Sequence, residues 1–158
     1  DAAQIAITSL RTGYFNPAVT DLLDKLVDMA SSNACKGLTL ADTRAMLDAI
    51  IANESPRIRD DMRAQAHEIY ARLTIPDHDL SATMHHLEQA FRLRPTLSTG
   101  IAMAGVLVSA QLYDEADRKL DELAPFEPQR PFVHQRWLDT VREMREIILR
   151  ERLERPAS

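Results

Sequence analysis

Two prolines set the frame of this chain. Two helical runs end alike, at Leu93-Arg94-Pro95 and at Phe126-Glu127-Pro128, with the prolines 33 residues apart. Proline cannot continue the backbone hydrogen-bond ladder, so each marks the end of a helix. Between the two ends the chain reads as an apolar helix, a break near Tyr113-Asp114-Glu115-Ala116, and a second helix rich in charge. A helix pair of this kind cannot bury its apolar faces alone; neighbours must complete the core. The frame therefore points to repeated helical hairpins.

The rest of the chain agrees. Aromatic residues make up only 5% of its 158 residues and there are 4 glycines. The core must come from Leu, Ile, Val, Met and Ala, a helical palette, and the expectation is an all-α fold of about seven helices with no sheet. A net charge of −5 argues against nucleic acid as the main partner. The charge is uneven: residues 129–158 carry 7 basic and 5 acidic groups, whereas the remainder is acidic. The lone cysteine, Cys35, excludes an internal disulfide; it fits a reducing compartment without excluding the periplasm. The longest apolar run, residues 101–110, is too short to span a bilayer and reads as a buried core helix. The chain starts at Asp1 without an initiator Met, so its start reports nothing about targeting.

Taken in order, residues 1–12 read as a helix closed by Gly13. Asn16-Pro17 starts the next, with Leu22, Leu23, Leu26, Val27 and Ala30 on its apolar face. Thr39 and Asp42 form a capping box with Asp in place of Glu, ahead of Leu40, Thr43, Met46, Leu47, Ile50 and Ile51. A helix over residues 57–73 turns Ile58, Met62, Ala66, Ile69, Tyr70 and Leu73 inward. A turn at residues 76–79 follows, and Asp79 caps a helix over residues 80–93. Residues 97–111 hold no charged side chain, which predicts the most buried helix of the fold. A helix over residues 114–123 packs back on it. The last helix, from Phe132 to about Glu154, has a narrow apolar stripe of Val133, Trp137, Val141, Met144 and Ile148. Its alternating charges read as a solvated surface with pairs along the helix.

No constellation for catalysis stands out. His78, His85 and His86, with Asp77 and Asp79, are the densest group of metal-ligand types, but His85 and His86 point about 100° apart on a helix. They read as a polar helix start, and no metal or cofactor is expected. Cys35 lacks the cationic setting of a nucleophile and reads as a small apolar group. There is no nucleophile elbow, Gly-rich phosphate loop or HExxH.

Residues 64–95 and 97–128 resemble tetratricopeptide hairpins, whose period is ~34 residues. Ala71 and Ala104 on the first helices, and Ala90 and Ala116 on the second, are candidates for close helix crossings. The family's large aromatic near the start of the first helix is replaced by His67 and Gly100, and Thr83 takes one small-residue place. The expected architecture is a single domain, 1–158, of stacked antiparallel hairpins with a capping helix at 131–154. The resemblance implies a partner-binding groove lined by Gln65, Glu68, Arg72, Ser98, Ile101, Gly105 and Val108. Glu68 and Arg72 are spaced to pair with each other or a partner.

A second resemblance spans about residues 15–150. It rests on the Asn16-Pro17 helix start, Cys35-Lys36-Gly37-Leu38-Thr39, the helix ending Ala49-Ile50-Ile51-Ala52-Asn53, and the two hairpins. This order is similar to the soluble C-terminal part of bacterial O-antigen polymerase/ligase-type membrane proteins, including pilin-glycosylating O-oligosaccharyltransferases. The resemblance implies a periplasmic domain whose parent transfers glycan from an undecaprenyl-linked donor, with the catalytic residues in the membrane part. The domain itself is then non-catalytic, and its partner is another protein or the membrane part of the same polypeptide. The alternative is a free-standing tetratricopeptide-like adaptor, cytoplasmic or periplasmic.

Overall fold

A computed structural model describes residues 2–12, 21, 24–25, 39–125 and 131–155. The expected helix after Pro17, with Leu22, Leu23, Leu26, Val27 and Ala30, lies outside the described residues, as do Cys35 and Pro128. Among the described residues the fold is all-α, with seven helices and no strand. In order they are α1 (Ala2–Thr12), α2 (Leu40–Ala52), α3 (Asp60–Thr74), α4 (Leu80–Leu93), α5 (Leu97–Ser109), α6 (Tyr113–Glu122) and α7 (Pro131–Glu154).

Local chemistry sets their ends. The Thr39 hydroxyl accepts from the Asp42 N–H at 3.0 Å and donates to the Asp42 carboxylate at 2.7 Å, closing the shortened capping box. Asp79 accepts from the Ala82 N–H at 2.9 Å and so starts α4. The helix expected from Arg57 begins later, at Asp60. The reason is a turn through Pro56 and Arg57, in which Ser55 O accepts from the Ile58 N–H at 3.0 Å. Arg63 then spans the corner: its guanidinium donates to Asn53 O at 2.7 Å and to Ser55 O at 3.1 Å.

The chain divides into two compact units, Asp1–Arg94 and Pro95–Ser158. In the first, Ala6, Ile7 and Leu10 of α1 meet Met46, Leu47 and Ile50 of α2 and Met62, Ala66 and Ile69 of α3. The opposite side of α3 packs on α4. His67 meets His86 and Thr74 meets Thr83, so later residues of α3 face earlier residues of α4 and the pair is antiparallel. In the second unit α5 and α6 form another hairpin, with Gly100 of α5 against Leu123 just past α6. α7 packs on both, through Met144 near Gly105 and through Arg145 and Arg152 to aspartates of α6.

The apolar helix α5 is not the most buried. It buries Thr99, Gly100, Met103, Ala104 and Leu107, whereas α3 buries Met62, Ala64, Ala66, His67, Ile69, Ala71 and Thr74. α3 lies between two helices and is covered on two sides. α5 leaves Ala102 and Ser109 exposed. Apolar composition gives the capacity for burial; position in the fold decides how much of it is used.

Candidate functional site

The residues expected to line a groove fall into two sets. On α3, Gln65 and Glu68 are half-buried and Arg72 is exposed. Spacings of three and four put them on one helix face. Glu68 pairs with Arg94 at 3.6 Å. On α5, Ser98 is exposed, whereas Ile101, Gly105 and Val108 are half-buried along one face. A Cβ on Gly105 would stand 3.6 Å from Met144 Cε, so α7 already covers this face at its centre.

The densest polar packing in the first unit lies elsewhere, at the meeting of α2, α3 and α4. His67 is only 7% exposed, and its Nδ1 stands 2.9 Å from His86 Nδ1. At that distance one Nδ1 carries a hydrogen and the other presents a lone pair. The His86 ring stacks on Tyr70 with centroids 4.3 Å apart and planes 15° apart. His85 meets His86 edge-on at 5.5 Å. From α2, the Asp48 carboxylate faces Tyr70. Burial lowers the pKa of His67 from 6.5 to about 4, with help from His86, His85 and Arg92. Burial and His85 lower that of His86 against the pull of Asp48. Burial raises that of Tyr70, and Asp48 adds to the rise. In this arrangement a single Nδ1–H bridges the two rings.

The polar-start reading therefore holds for exposed His85 and fails for half-buried His86. The two neighbours point apart as helix geometry requires, and one of them points inward. His67 carried a legible signal: it lies on one helix face with Ala71 and Thr74. Among the described residues no group of three His, Cys, Asp or Glu side chains is placed to hold a metal ion.

α7 is largely solvated and Arg142 pairs with Asp139 along it, as read from the sequence, but two of its arginines also pair with a neighbouring helix. Arg145 pairs with Asp117 at 3.0 Å and also with Asp121. Arg152 pairs with Asp117 at 3.1 Å and also with Asp114. These partners lie on α6, so the charges bridge helices. Beside this ladder runs a second apolar stripe, in a shallow groove of about 380 Å³ lined by Leu138, Val141, Arg142, Arg145, Glu146 and Leu149. Leu149 and Leu153 are exposed.

The two hairpins share a register. Residues 33 apart take the same places: Ala71 and Ala104, Thr74 and Leu107, Thr83 and Ala116, Leu87 and Leu120, and Ala90 and Leu123 are all buried. The interhelical turns each contain one left-handed residue, His78 at φ 55° and Gln111 at φ 62°, again 33 apart. The second helices start in register too, at Leu80 and Tyr113. No protein-family model matches the sequence, and no match is found among curated proteins or solved structures.

Proposed function

We propose that this chain is a non-catalytic protein-interaction or bracing domain built on a repeated helical hairpin. Following the sequence resemblance, we assign it to the periplasmic part of an inner-membrane glycan polymerase or ligase of the O-oligosaccharyltransferase type. The observation that supports the interaction role is the common register of the two hairpins, in burial and in the left-handed turn residue. Repeated hairpins present continuous faces suited to contact. No helix among the described residues is long and apolar enough to cross a membrane, so donor handling at the bilayer would fall to the parent.

The test is glycan transfer by the full-length parent. Removing residues 60–130 should abolish or strongly reduce transfer while the membrane part still inserts; full transfer by that deletion would overturn the accessory role. Exchanging Glu68 and Arg72 for Ala then asks whether the α3 face contributes. Transfer unchanged in a folded double variant removes those two residues from the contact surface. The free-standing adaptor is the second reading, and the coding sequence upstream of Asp1 separates the two: a run of transmembrane segments there supports the membrane enzyme.

A further inference from the structure

The first hairpin carries a pair that the second lacks. The positions equivalent to His67 and His86 are held by Gly100 and Lys119. In the first hairpin the two Nδ1 atoms lie 2.9 Å apart, and a contact of that length needs a lone pair on one of them. With both protonated, two N–H groups would point at each other and two positive charges would meet in a largely dry setting.

We propose that the His67–His86 contact is an acid-released latch: the Nδ1–H···Nδ1 bond holds the middle of the α3–α4 hairpin while at most one of the two rings is charged, and charging both rings parts it.

The surroundings give the opening a direction. His67 feels His85 and Arg92 of α4, which add positive charge. Tyr70 of α3 lies against the His86 ring, and from α2 Asp48 and Arg44 face this Tyr70–His86 stack. The Asp48 carboxylate favours a charged His86, so once both rings are charged their repulsion drives His86 away from His67 and toward α2. The closed end of the hairpin responds differently. There Thr74 and Thr83 place their hydroxyl oxygens 2.7 Å apart, buried and without a titrating group. His67 lies seven residues before the end of α3, which is about 10 Å along the helix axis. Acid therefore loosens the half of the hairpin beyond the two histidines, and the turn that contains His78 stays closed as the hinge. The second hairpin, lacking the pair, serves as an internal control.

Hydrogen exchange on the full chain tests this, at about pH 7 and about pH 4, with rates corrected for intrinsic chemistry. The expected result is a roughly tenfold or greater loss of protection in the first half of α3 and the second half of α4, with α5 and α6 little changed. His86→Phe keeps a ring on Tyr70 and should abolish the pH response. Nitrogen NMR of the imidazoles in the unmodified chain gives a second reading that needs no variant. It should show one protonated Nδ1 of the two at neutral pH and both protonated at the pH of opening. Equal loss of protection in both hairpins, an undiminished response in a folded His86→Phe chain, or two histidines titrating independently near 6.5 would each overturn the latch.

Discussion

At Gly100 the missing side chain is structural. A Cβ there would stand 2.2 Å from Leu123 Cδ2 and 2.9 Å from Cδ1, and Leu123 is fully buried, so its side chain would have to shift within the core. The equivalent residues of the first hairpin are His67 and Ala90, so the large partner has moved from the second helix to the first. Gly100→Ala should cost about 1–2 kcal/mol, because overpacking outweighs the gain in helix propensity. Gly105→Ala has the opposite expectation. Its new Cβ meets Met144 at an ordinary 3.6 Å, and the helix gains about 0.5–1 kcal/mol. Urea unfolding of both variants checks the pair, and equal shifts in the same direction would refute the contrast. The sequence showed small residues where helices cross, and Ala71, Ala90, Ala104 and Ala116 are all buried. It did not show that Gly100 and Leu123 are one fitted contact, because that depends on a partner 23 residues away.

Among elements, α7 shows how little charge patterns reveal alone. Its arginines and glutamates alternate as pairs along one helix would, yet Arg145 and Arg152 reach the α6 aspartates. Local spacing cannot tell the two apart; the face that α6 turns toward α7 decides. Caps were legible because Thr39 and Asp79 act within three residues of themselves. Position within the fold was less legible, which is why the apolar helix α5 was expected to outrank α3 in burial. The anchor of α7 is apolar: Ile148 is 1% exposed. Ile148→Ala should destabilise the second unit by about 2–5 kcal/mol through lost transfer energy and a cavity. Arg152→Ala removes exposed pairs and should cost roughly 1 kcal/mol or less, falling toward zero in high salt. Thermal unfolding in low and high salt separates them, and an arginine loss as large as the isoleucine loss would show that the ladder anchors the helix.

For the whole molecule, pH is the informative variable. His67 has an ordinary value of 6.5 and a folded value of about 4. Between those values the unfolded chain binds more protons, so stability rises with pH across that window and levels off above it. The contribution is roughly 2–3 kcal/mol, discounted for partial solvent screening. Urea midpoints measured across the window should rise toward neutrality, and a flat profile would show that His67 is not held neutral. The division at Arg94 and Pro95 has a separate, practical consequence. Trypsin cuts poorly where proline follows arginine, so digestion of this arginine-rich chain will leave the junction uncut and report Arg92, within α4, instead. A fragment map made with that protease would place the border between the two units inside a helix, two residues before its true position.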